Sequence, residues 1–335
     1  MKIRFLFLTI AAGALMAVPH LNFQDLLSQG DHGRDLYAAQ EALKGKLPYK
    51  DFWWVYGPLM PYYYALFLKI FGAAIPSILL GYAVMKVAAG AFFYLTAAVA
   101  MPASVAFLGA CWFMQSQQDF FFTYNHISGI TLEMFICWRL FAYIANGRLR
   151  GLWSIVPAIL LYALIKVNFA LAALAVTALA VGLTDFVREQ PLDKDKKYFY
   201  ATLLAGTPVL IAVVYWLLLK DLPVYAVHQC MPYFGDDQPH HYPPSITIPY
   251  YFTQHWLTIQ HAWMGFAATA ALASSSNGSL PAVIGATAQF LNLVRHIVMH
   301  AATLGTLWLL LSRRFAGEQA RNFLLCLAVL VYSLS

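Results

Sequence analysis

Residues 77–99 read SILLGYAVMKVAAGAFFYLTAAV, an apolar run of 23 interrupted by one charge, Lys86. A bilayer core about 30 Å thick needs about 20 apolar residues of helix, so this stretch is long enough to cross it. Comparable runs lie near 4–21, 103–118, 127–146, 152–167, 169–186, 199–219, 286–311 and 319–335. Together they predict an all-α polytopic transmembrane helix bundle of about nine spans, within a range of about 8 to 11. Residues 58–73 and 261–273 are apolar but short, and read as interfacial or re-entrant helices.

Composition agrees with this reading. Of 335 residues, 61% are hydrophobic, 16% aromatic and 11% charged, with a mean hydropathy of +0.63. A soluble domain carries about 25% charged residues. Soluble Rossmann, barrel and sandwich folds are therefore excluded. The net charge of +6 does not indicate nucleic acid, because the basic residues are spread between apolar segments and form no stripe. The four cysteines make no disulfide framework: Cys111, Cys137 and Cys326 sit in apolar runs and only Cys230 in a polar loop.

The charges instead set an orientation. Lys2, Arg4, Arg148, Arg150, Arg188, Lys194, Lys196, Lys197, Arg313, Arg314 and Arg321 fall on one side, against five acids, Asp185, Glu189, Asp193, Asp195 and Glu318. The other side holds six basic residues and nine acids. By the positive-inside rule the first side is cytoplasmic. The start, Lys2 and Arg4 ahead of Phe5 to Val18, resembles a signal peptide. The expectation is nonetheless an uncleaved first span, since cleavage would reverse the pairing of the spans that follow. The last apolar run stops at Ser335 with no closing loop, which points to a C-terminal truncation.

The chain is thus expected to form one transmembrane domain, 1–335, with two large outer loops at 20–76 and 220–285. The first carries Asp25, Asp31, Asp35, Glu41 and Asp51; the second carries Asp221, His228, Asp236, Asp237, His240, His241 and His255. Gly30 and Gly33 allow a tight turn, and Asp31 can cap a helix from about Gly33 to Lys44. Leu36, Gln40 and Leu43 share one face of that helix with Asp35 beside them. Pro48 and Gly57-Pro58 bracket a second turn, and Trp53, Trp54 and Tyr56 read as an interfacial aromatic belt.

The first loop also resembles a known family. Gln29-Gly30-Asp31-His32-Gly33-Arg34-Asp35-Leu36-Tyr37, then Leu47-Pro48-Tyr49-Lys50-Asp51-Phe52 and Tyr56-Gly57-Pro58-Leu59, are similar to the polytopic GT-C glycosyltransferases. The likeness is to the branch around dolichyl-phosphate-mannose–protein mannosyltransferases and lipid A aminoarabinose transferases. It covers residues 29–72 at motif level, and reaches about residue 185 in span layout, with Leu164-Ile165-Lys166 after the fifth span. The resemblance implies an inverting transferase moving a sugar from a polyprenyl-phosphate donor to an acceptor hydroxyl on a protein, lipid or glycan. Asp31 would be the general base, a role often worth about 10²–10⁴-fold in rate. His32 stands where that family usually has the second acid of an Asp-Glu pair, which leaves a divalent cation open. No other cofactor and no nucleic acid is implied. The expected location is the bacterial inner membrane, with the site facing the periplasm.

Further residues join this expectation. Asp35 lies one turn from Asp31, and Asp119 in a polar turn before Tyr124-Asn125-His126 faces the same side, so both are candidate catalytic carboxylates. Each also reads simply as a solvated charge. A charge within a span costs at least about 2.5 kcal/mol and usually faces the interior, which makes Lys86 and Lys166 candidates for gripping the lipid phosphate. Tyr56 and His126 complete the expected substrate-binding set. Arg139 can snorkel, and it stands six residues from Glu133, poorly spaced to pair with it. His296 and His300 at i,i+4, and His240-His241 beside Asp236-Asp237, have metal-ligand spacing, but interior hydrogen bonding is the preferred reading of the first pair and a solvated loop that of the second. Two rivals stand beside the transferase: a transporter or flippase for a lipid-linked or small polar substrate, and a non-catalytic assembly subunit.

Overall fold

The computed structural model describes residues 2–18, 31–54, 56–116, 124–188 and 191–222, together with 263–264, 266–268, 270–271 and 290. Helix dominates, and the described residues include no strand beyond one isolated bridge between Pro48 and Phe52. The chain divides into two compact units, Met1–Gly235 and Asp236–Ser335. In the second, Trp263 and Phe266 lie on helical turns, and the Phe266 ring tilts against Trp263 at 6.0 Å and Phe290 at 5.5 Å.

The first unit contains α1 (Lys2–Ala17), α2 (Asp31–Leu43), α3 (Leu59–Phe71), α4 (Ile75–Ala100), α5 (Ala103–Ser116) and α6 (Tyr124–Asn146). A 3₁₀ turn (Leu149–Ser154) leads into α7 (Ile155–Ala163), followed by α8 (Val167–Val187), α9 (Lys194–Ala201) and α10 (Thr207–Leu219). A π turn, Thr202–Gly206, joins α9 to α10. Among the described residues four helices are long and apolar enough to cross a membrane: α4, α6 from His126, α8 to Phe186, and the continuous Lys194–Leu219 rod. α1 (16 residues), α5 (14) and the Leu149–Ala163 segment are shorter. Apart from residue 290, the expected spans at 286–311 and 319–335 lie outside the described residues.

Apolar side chains point outward as well as inward. Phe186 is 78% exposed, Leu15 73% and Trp216 63%. A water-facing surface of that kind would be unfavourable, whereas lipid accepts it. The all-α fold therefore has the make-up of a membrane-embedded protein.

Side-chain contacts fix the helix directions. Lys2 Nζ donates to the Ala98 carbonyl at 2.6 Å and the Tyr94 hydroxyl to the Lys2 carbonyl at 2.6 Å, so α1 and α4 run antiparallel. The α4 and α6 helices run side by side: Thr131 Oγ1 donates to Met85 O at 2.9 Å, and further along Phe92 meets Phe135 at 5.2 Å. The end of α10 reaches the end of α7 through Tyr215, whose hydroxyl donates to Ala163 O at 2.7 Å. One end of the unit, here the upper end, gathers α2, α3, the start of α6 and the α7–α8 break. The lower end gathers Lys2, Arg148, Arg188 and Lys196.

Along α2, Leu36 and Leu43 pack against the core as partly buried residues, Gln40 is exposed, and Asp35, Ala38, Ala39, Glu41 and Ala42 are buried. Small alanines let the helix approach on two sides. Ala39 packs with Met60, Tyr64 and Tyr82, while Ala38 packs with Phe52 and Trp54. One sequence expectation is corrected: Trp54 is no belt residue. It is 2% exposed with its indole N–H donating to Gly57 O at 2.9 Å, whereas its neighbour Trp53 is 53% exposed.

Candidate functional site

The site is built where α7 fails to continue into α8. After Ala163 the chain leaves helical geometry, and Lys166 takes an extended backbone (φ −159°, ψ 117°). Helix ends leave carbonyls without intrahelical partners. Here the first loop supplies them: Gly57 N donates to Ile165 O at 2.8 Å, and Leu59 N to Leu164 O at 2.9 Å. The loop thereby lies directly on the break. Gly57 is indispensable for this approach, since a Cβ there would stand 2.1 Å from the Leu164 carbonyl oxygen.

That clasp brings Tyr56 to Lys166. The Lys166 ammonium lies 5.5 Å from the centre of the Tyr56 ring and 4.5 Å from that of Phe169. His126, at the start of α6, meets the same Phe169 edge-on at 5.9 Å. Three of the four expected substrate-binding residues, Tyr56, Lys166 and His126, are thus neighbours, though they come from three separate segments.

The sequence reading passed over Arg34. Its guanidinium lies 4.8 Å from the Tyr56 ring centre and 5.7 Å from that of Trp54. It also meets Asp35, with Nε donating to Oδ1 at 3.1 Å and Nη2 lying 3.0 Å from the same oxygen. The Asp35 side chain is 2% exposed. Arg34 and Lys166 therefore address one aromatic ring, no farther apart than their two distances to it combined. The available signal was the Gly33-Arg34-Asp35 run near Trp54 and Tyr56, an arginine flanked by a carboxylate and aromatic faces.

The remaining expected residues are placed as follows. Asp31 is the first residue of α2. Asp35 sits on the buried side of that helix in the ion pair just described. Lys86 is buried in α4, next to the Met85–Thr131 contact and so about one and a half turns deeper than His126. Asp119, His240, His241, His296 and His300 lie outside the described residues. Among the described residues no three His, Cys, Asp or Glu side chains converge as a metal site.

A second polar cluster lies at the lower end. Asp185 Oδ1 accepts from the Tyr143 hydroxyl and from Lys196 Nζ, the latter at 3.0 Å, and Arg188 donates to Ile144 O. Asp185 and Lys196 are buried, although each reads in the sequence as an ordinary solvated loop charge. Nearby, Arg139 Nε donates to Gly151 O at 2.9 Å, which anchors the 3₁₀ turn to α6 rather than snorkelling.

No protein-family model, curated protein or solved structure matches the chain.

Proposed function

We propose that this chain is a membrane glycosyltransferase that moves a sugar from a polyprenyl-phosphate donor to an acceptor hydroxyl at its upper end. The observation that carries the reading is the pair of cations, Arg34 and Lys166, held over Tyr56 beside the helix that Asp31 opens. Arg34 meets the Asp35 carboxylate, and Lys166 brings a second cation to the same Tyr56 ring. A lipid phosphate presents the complementary charge there, and its tail remains in the bilayer.

In the proposed reaction the acceptor oxygen attacks the anomeric carbon from the face opposite the phosphate. The carbon–oxygen bond to phosphate breaks and the lipid phosphate leaves with the electron pair. Asp31 takes the hydroxyl proton, and the configuration inverts. Arg34 and Lys166 stabilise the charge that grows on the departing phosphate. The upper end would face the periplasm of a bacterial inner membrane, and the completed bundle would hold about nine spans.

Binding of a polyprenyl phosphate to the full chain in nanodiscs tests this. Lys166→Ala and Arg34→Ala should each weaken binding about tenfold or more, the range expected for a lost charged hydrogen bond. Unchanged affinity in both variants would remove the phosphate assignment.

A transporter reading draws on one different observation, the burial of Lys86 within α4 and of Asp185 and Lys196 in the α8 and α9–α10 rods. It predicts that Lys86→Ala abolishes substrate movement between vesicle compartments while Asp31→Asn does not.

A further inference from the structure

We infer that Asp35 is a positioning residue: its carboxylate sets the Arg34 guanidinium against Trp54 and Tyr56, so that the cation meets an anionic phosphate already oriented. The inference rests on the phosphate-binding reading above and assigns Asp35 a role distinct from proton transfer.

The geometry that points to it is specific. Neighbouring residues on a helix do not normally face one another, yet the Arg34 side chain turns back so that both Nε and Nη2 meet Asp35 Oδ1, at 3.1 and 3.0 Å. Asp35 is almost wholly enclosed, while 15% of the Arg34 side chain stays exposed. The carboxylate is thus the more enclosed partner and the guanidinium the one that reaches the surface. Two rings bound the same guanidinium. The Trp54 indole N–H donates to Gly57 O, and the Tyr56 backbone is held where its carbonyl accepts from the Tyr49 hydroxyl at 2.5 Å. An arginine freed of these contacts would sample many rotamers, and ordering it on binding would weaken affinity.

A competing effect has the opposite sign, because a carboxylate so close lowers the positive potential offered to phosphate. Orientation prevails here because Lys166 brings a second cation to the same Tyr56 ring. Removing Asp35 therefore costs more in order than it adds in charge.

The test is a double-mutant cycle on the full chain in nanodiscs, read as the Kd for undecaprenyl phosphate and, in parallel, as the thermal midpoint. Asp35→Asn should weaken binding about tenfold, and Asp35→Glu should recover much of that. The Asp35→Asn, Arg34→Ala double variant should bind no worse than Arg34→Ala alone, because Asp35 acts only through Arg34. Equal or tighter binding by Asp35→Asn, or losses that add in the double variant, would overturn the inference. If Asp35→Asn fails to fold, Asp35→Ser, which also removes the carboxylate, decides the matter: it should weaken Kd, whereas a merely structural carboxylate would shift the thermal midpoint without shifting Kd, and that result would overturn the inference. Wild-type chain that binds no polyprenyl phosphate would instead overturn the functional reading itself.

Discussion

Gly57 and Leu164 touch so closely that no side chain fits between them: a Cβ on Gly57 would stand 2.1 Å from the Leu164 carbonyl oxygen and 2.2 Å from its carbon. The contact joins the first loop to the α7–α8 break, and through it Tyr56 reaches Lys166.

Gly57→Ala is predicted to undo this junction. The obstructing atoms are backbone, so relief requires the loop to lift and to give up the hydrogen bonds from Gly57 and Leu59. Overpacking alone typically costs about 1–3 kcal/mol. Thermal unfolding in mild detergent should show that loss, and polyprenyl-phosphate binding should weaken along with it. A variant with wild-type stability and binding would mean that the clasp does not organise the site.

The α2 C-terminus carries an acid-sensitive ion cluster. Glu41 meets Lys44 at 2.6 Å and also pairs with Lys46. Hydrogen bonds from Lys44 and then Lys46 hold its carboxyl below the usual value of 4.5, while the bond to Glu41 raises Lys46 above 10.5. The carboxylate's stabilisation is complete above the unfolded-state value and disappears as pH falls through the lower folded value; that of Lys46 disappears as pH rises through its raised one. Thermal midpoints measured from pH 7 down to pH 3 should therefore fall less steeply in Glu41→Gln than in wild type. Both lysines are well exposed, so the difference should be modest and should shrink at high salt. An identical acid slope in the two proteins would contradict this assignment.

The lower-end cluster should behave in the opposite manner, as a buried network. Lys196→Met leaves the Asp185 carboxylate enclosed with Tyr143 as its hydroxyl donor, and breaking a buried pair in this way typically costs about 3–5 kcal/mol. Adding Asp185→Asn removes the stranded charge, so the double variant should lose clearly less stability than the two single losses combined. Additive losses would show that Asp185 and Lys196 do not interact.

What the sequence makes legible follows from where each kind of information resides. Apolar length is a local property, so the rods around 77–99, 127–146, 169–186 and 199–219 can be read directly, and the structure places helices on each. The neighbourhood of Tyr56, Lys166 and His126 is only half legible: the residues can be chosen as polar exceptions in apolar surroundings, but their convergence depends on a backbone clasp between segments about a hundred residues apart. Trp53 and Trp54 illustrate the limit. Both suit an interfacial belt, and only the loop's path decides that one is exposed and the other donates to Gly57. Asp185 and Lys196 show the same limit: the sequence gives two charges near span ends, and only the fold shows that they are buried and paired.

The account stands or falls on whether Asp31 acts on a lipid-linked sugar. The most direct measurement is mass spectrometry of the lipids that co-purify with the Asp31→Asn protein and with wild type. Accumulation of a polyprenyl-phosphate sugar on the variant, with the protein otherwise intact, is the predicted result and would identify the sugar. Absence of any polyprenyl lipid from both proteins would contradict the glycosyltransferase account.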